Sequence, residues 1–177
     1  MKPQFLTISL NMYTQVKPAG FFIFIFAVLI LFFQHPARAA VYEARSIKEI
    51  SEVLQKLQPG DTLEIEPGKY AGGIPIDNLN GTRSAPITIM GKDPKNPPVF
   101  MGGNTGFNLS KCNHVRLRNL KIQGAGQNGM HIHDGNTGSG ITRPSTNILV
   151  ANLVIEDTGP VGNSDALKTS GVRHFVI

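Results

Sequence analysis

HVRLRNLKI (His114–Ile122) and NILVANLVI (Asn147–Ile155) are one phrase written twice. Asn119-Leu120 and Ile122 reappear as Asn152-Leu153 and Ile155. HFVI (His174–Ile177) starts the phrase a third time. Each copy follows a shorter alternating stretch: Phe107–Leu109, Met130–Ile132 and Leu167–Thr169. The unit is therefore a strand, a turn near Lys111–Asn113 or Gly171–Arg173, and a second strand. A repeat of this length built from short strands predicts a solenoid. Stacked parallel strands lie about 4.8 Å apart, so equivalent residues of successive coils become neighbours. Leu109, Met130, Ile132 and Leu167, with Val115, Ile148 and Phe175, are then expected to form inward apolar ladders. Asn119 and Asn152 are expected to bond each other's amides along the axis. The extra length of one repeat is assigned to an inserted loop, Gly135–Ser145.

Upstream of the repeats, Ser46–Leu57 is the one segment with a helical period. Ile47, Ile50, Val53, Leu54 and Leu57 share a face, Ser46 and Glu49 form a capping box, and Pro59-Gly60 ends it. PGDTLEIEPGKY (Pro59–Tyr70) follows as a strand held between two turns. A solenoid end exposes apolar core and unpaired backbone. The helix is therefore expected to cap the first coil, which Pro59–Tyr70 begins.

Residues 1–39 are set apart from that domain. Phe21–Phe33 is an unbroken apolar run, short for a membrane span. Lys2 and Lys17 precede it, and Ala37-Arg38-Ala39 fits a small-x-small cleavage site. This predicts a signal peptide cut after Ala39, a mature domain over 40–177, and an exported protein, periplasmic or extracellular, with no stable membrane anchor. Without Lys2, Lys17 and Arg38 the chain keeps 14 basic and 12 acidic residues. No dense basic patch interleaved with aromatics points to nucleic acid. The single cysteine, Cys112, excludes an internal disulfide framework, and a buried, inert thiol is expected.

PGDTLEIEPGKY and GTRSAPITIMGKDPKNPPVFMGG (Gly81–Gly103) resemble the first coils of secreted right-handed parallel β-helix proteins. The likeness is to polysaccharide lyases such as chondroitinase B and the related alginate lyases, and after them to pectate lyases. NSDALKTSGVRHFVI (Asn163–Ile177) is similar to the D-x-[IL]-K-x-S-G coil of such proteins. The resemblance implies an all-β, right-handed parallel β-helix and β-elimination on a uronate-containing, acidic polysaccharide. It also implies longer chains whose catalytic Lys and Arg and calcium ligands lie in later coils. This chain is accordingly expected to be an N-terminal fragment of three or four coils, inactive alone. The alternative function is a non-catalytic β-helix surface or carbohydrate-binding protein.

Within the chain, the register places His131 and Lys168 side by side on the outer face. Neighbouring cations lower each other's pKa, which suits a base, so these two are the catalytic candidates. Two weaker metal sites are also considered. His131 and His133 share a strand face beside Asp134, as a transition metal would require. Asp157 and Asp165, with Glu156, offer oxygen ligands for calcium.

Overall fold

The computed structural model describes residues 39–135, 143–159 and 162–177. Its strands are β1 (Val41–Ala44), β2 (Thr62–Ile65), β3 (Lys69–Ala71), β4 (Ile74–Asp77), β5 (Ile87–Gly91), β6 (Val99–Met101), β7 (Phe107–Ser110), β8 (Asn113–Gln123), β9 (Met130–His133), β10 (Ser145–Glu156), β11 (Leu167–Ser170) and β12 (Val172–Val176). The single helix among the described residues, α1 (Ile47–Leu54), lies between β1 and β2 in sequence. All pairings between these strands are parallel. The chain winds as a right-handed parallel β-helix with three faces.

The first face stacks β1, β2, β5, the start of β8, the start of β10, and β12. The second stacks β3, β6 and the later parts of β8 and β10. The third stacks β4, β7, β9 and β11. Thr62, Thr88, Arg116, Leu149 and Val176 hold one equivalent position on successive first-face rungs, so the turns between them differ in length. The register survives this variation because loops, not strands, absorb the surplus. The loop expected at Gly135–Ser145 falls largely at 136–142, outside the described residues, as do residues 1–38 of the expected signal peptide. Among the described residues no helix is long and apolar enough to cross a membrane.

Inward residues form the expected ladders. Ile87, Val115, Ile148 and Phe175 stack on the first face. Ile74, Phe107, Met130 and Leu167 stack on the third. Tyr70, Phe100, Ile122 and Ile155 stack on the second. The corner between first and second faces is a single left-handed residue, Asn119 (φ 54°) and then Asn152 (φ 52°), a conformation that asparagine tolerates better than most residues. Asn152 Nδ2 donates to Asn119 Oδ1 at 3.1 Å, and Asn119 Nδ2 to the Gly91 carbonyl at 3.5 Å. The rung below holds Gly91 because a Cβ there would collide with the Asn119 carbonyl oxygen.

Three expectations at the N-terminal end change. The first rung is β1, which pairs with β2 ahead of Pro59–Tyr70. The stretch VYEA carries too little alternation to declare a strand without the partner it lies on. The helix stops at Leu54, with a turn from Lys56 N–H to the Val53 carbonyl at 3.0 Å. Leu57 is still buried, but from beyond the helix. Ser46 Oγ accepts the Glu49 N–H at 3.2 Å, as predicted, whereas the Glu49 carboxylate takes the Arg45 N–H at 2.6 Å. Asp61, 3% exposed, closes the helix exit by accepting from the Ala40 and Gln58 amides, both at 2.8 Å. The described residues make four full turns, with a further first-face rung at each end.

Candidate functional site

The third face carries the residues with chemistry. β7, β9 and β11 lie in register, so Asn108, His131 and Lys168 form one outward row. Ser110, His133 and Ser170 form the next. Asp77 continues that second row on β4, and accepts from Ser110 Oγ at 2.5 Å. Gly129 sets the entry to β9. A Cβ on it would collide with Ile155 Cγ2 and stand 2.6 Å from the Ala166 carbonyl oxygen.

The two imidazoles stack, with centroids 4.6 Å apart and planes at 25°. His133 is held at both nitrogens. Its Nδ1 accepts the Gly135 N–H at 3.0 Å, which makes Nε2 the donor to Asn108 Oδ1 at 3.1 Å. Ser145 Oγ braces the strand behind it, donating to the His133 carbonyl at 2.6 Å and accepting the Cys112 N–H at 3.1 Å. Among the described residues His131 makes one side-chain hydrogen bond, Nε2 to Ser170 Oγ at 3.1 Å. Lys168 Nζ donates to the Asn163 carbonyl at 3.2 Å. Partial burial pushes the His131 pKa down, and the positive charges available to His133 and Lys168 push it further down. The site thus pairs an imidazole biased towards its neutral, proton-accepting form with an ammonium on the next rung.

This bias has a direct check. In a nuclear magnetic resonance titration the His131 midpoint should fall below that of an unperturbed histidine, about 6.5. Lys168→Met removes one repelling charge, so protonation becomes easier and the midpoint should rise. A His131 midpoint at or above the free value, or one indifferent to Lys168→Met, would show that the two side chains do not sense each other.

The expected adjacency of His131 and Lys168 is therefore present. Ser170, Asn108 and Asp77 were not singled out by sequence, although the repeat that aligns Lys168 with His131 also aligns Ser170 with His133. The metal candidates are placed differently. Asp157, left-handed at φ 53°, accepts from Gln123 Nε2 at 3.2 Å. Asp165 is exposed, and its amide donates to Asn128 Oδ1 at 3.0 Å. Glu156 pairs with Lys121 at 2.6 Å. Among the described residues no three His, Cys, Asp or Glu side chains converge around a point, at His131–His133–Asp134 or at Asp157–Asp165. Calcium takes six to eight oxygens, and these carboxylates alone do not supply them. Cys112 is fully buried, its Sγ directed at the Ile76 and Ser110 carbonyls at 3.3 Å. Burial raises its pKa to about 11, so it stays an inert thiol.

No protein-family model matches the chain, and no curated protein matches it. Solved structures with similar strand stacking include an alginate lyase from Paenibacillus sp. str. FPU-7. It is 19% identical with a TM-score of 0.46, over 77% of this chain and 61% of that one. The PL6 family alginate lyase AlyGC is 15% identical with a TM-score of 0.48, and a point variant of it 16% with 0.47. Each match covers 62% of this chain and 15% of that one. The chain thus spans less than two thirds of each of these structures.

Proposed function

We propose that the third face is the saccharide-facing surface of a lyase-type β-helix protein that recognises a uronate-containing, acidic polysaccharide. The observation that carries this is the in-register His131–Lys168 pair, with His131 biased to its neutral form. β-Elimination needs a uronate carboxylate neutralised and its α proton removed. In a complete lyase built on this face, Lys168 would pair with the carboxylate and His131 would accept the proton. The C–H electron pair becomes the new double bond as the β carbon–oxygen bond breaks, and the departing oxygen takes a proton from imidazolium or water. Lys168 binding the Asn163 carbonyl and His133 satisfied at both nitrogens favour a second reading, a binding face without turnover.

A single ammonium beside the base leaves the carboxylate only partly neutralised. The chain alone is therefore expected to bind uronate oligomers without cleaving them. Incubated with alginate, chondroitin or pectate and added calcium, it should give no rise in the ultraviolet absorbance of unsaturated product. Uronate oligomers should nevertheless shift the His131 resonances, and Lys168→Ala should weaken that binding by about tenfold, the scale of one charge-assisted hydrogen bond. Binding unchanged in Lys168→Ala would sink this reading. Product that His131→Ala abolishes would instead show a complete active site within these residues.

Export belongs to the same proposal. Protein recovered from the secreted fraction should begin at Ala40; a start at Met1 or Met12 would contradict cleavage after Ala39.

A further inference from the structure

The cations of the described residues fall into two groups. Lys92 lies 2.9 Å from Glu43 and 2.7 Å from Glu66, Arg45 approaches the same two carboxylates, and Lys121 holds Glu156. Arg83 and Arg116, like several other cations, have no ion-pair partner among the described residues, and both are exposed. They line one cleft of about 430 Å³ on the first face, away from the third-face site, together with His114, Asn147 and His174. Its remaining lining is apolar: Pro86, Ile148, Leu149 and Val176. Among the described residues no carboxylate side chain lines it. The volume is that of an ordinary small-molecule site, roughly 300–1,000 Å³.

The cleft is built by register and by one fixed turn. Thr88, Arg116, Leu149 and Val176 form a single outward row on successive rungs. His114, Asn147 and His174 form a second row at its edge, and all three are left-handed, at φ 50°, 54° and 55°. Asn147 Nδ2 contacts His114 Nε2 at 3.4 Å and donates to Asn113 Oδ1 at 3.2 Å. Arg83 comes from the Thr82–Ala85 turn, closed by reciprocal backbone bonds of 3.0 and 3.2 Å. That turn is pressed on the rung of β8: Gly81 N–H donates to the Asn113 carbonyl at 2.8 Å, and a Cβ on Gly81 would lie 2.5 Å from the His114 carbonyl oxygen. Two guanidiniums are thus brought from separate coils to one opening. Glu64, on the neighbouring outward row, stands two rungs from Arg118, across Met90.

We propose that this cleft is a second saccharide subsite, which binds a carboxylate-bearing sugar of an acidic polysaccharide. A guanidinium fork matches a carboxylate in shape and charge. Leu149 and Val176, the latter 58% exposed, give an apolar shelf for the C–H face of a pyranose ring. A bare phosphate or sulfate would leave that shelf unused. The subsite rests on the substrate class of the third-face reading but shares none of its residues, so variants of each face tell the two sites apart.

The test uses the full chain, with uronate hexamer, its carboxyl-reduced neutral counterpart and inorganic phosphate as probes. Arginine Nε and the His114 and His174 resonances report the first face, and His131 reports the third. Uronate hexamer should shift the first-face signals. Arg116→Gln and Arg83→Gln should each weaken that response about tenfold, the scale of one charge-assisted hydrogen bond, with unchanged melting temperatures because both side chains are exposed. Lys168→Ala should leave it intact, and so should Arg45→Gln. The proposal is overturned if both arginine variants bind as well as the parent chain, or if the neutral hexamer binds equally well. Phosphate binding as tightly as the hexamer would overturn it too, by showing a simple oxyanion site. Lys168→Ala erasing the first-face shifts would overturn it by reducing the two sites to one.

Discussion

Replacing Ile50 and Val53 together by Asp will unfold the N-terminal rungs. These are the two buried residues of α1, 1% and 6% exposed, and they seal the end of the stack where β1 and β2 begin the core. Both positions lie in the buried hydrophobic cluster, so each Asp must be buried, be protonated, or drag the helix off the core. Each choice costs several kcal/mol against a total stability of about 5–15 kcal/mol. Undocking also exposes Ala44, Leu63 and Ile65, all of them fully buried. The far-ultraviolet dichroism should lose its helical component, and the melting transition should broaden or vanish. Lys48→Asp is the control: its side chain is 85% exposed, with only a 3.9 Å contact to Glu52, and should cost within about 0.5 kcal/mol. A double variant melting within a few degrees of the parent would mean that the helix is not docked on the core.

Phe100→Ala should be the most costly single truncation of the second face. Phe100 is fully buried, stacked on Tyr70 at 5.3 Å and set edge-on to Phe107 at 4.6 Å. It therefore joins the second face to the third as well as continuing its own ladder. Removing the ring deletes both aromatic contacts and leaves a cavity that parallel rungs, fixed by their backbone bonds, are slow to close. The cost should be about 3–5 kcal/mol, seen as a lower urea midpoint with little change in slope. Met101→Ala next door serves as the contrast. Met101 is 41% exposed and its truncation should cost far less. Equal losses at the two positions would mean that the aromatic stack is not a structural joint.

The repeat in the sequence determined more than the fold class. In a parallel stack, equivalence along the chain becomes adjacency in space. Aligning HVRLRNLKI with NILVANLVI therefore set Asn119 against Asn152, and aligning Met130–Ile132 with Leu167–Thr169 set His131 against Lys168. The inward ladders followed from the period of two, and the capping helix from a helical period and a serine cap. Contacts between faces had no such signal. The edge-on packing of Phe100 against Phe107 and the shared cleft of Arg83 and Arg116 join residues on different strands or coils with no common period. Loop lengths and turn angles decide those meetings, and they are properties of the closed coil. β1 was illegible for a related reason: so short an edge strand is defined by the partner it pairs with, here β2. The left-handed row His114–Asn147–His174 lay between the two cases. Its alignment was in the sequence, but its backbone conformation, and the cleft that conformation borders, arose only when the chain turned a corner at the same place on successive rungs.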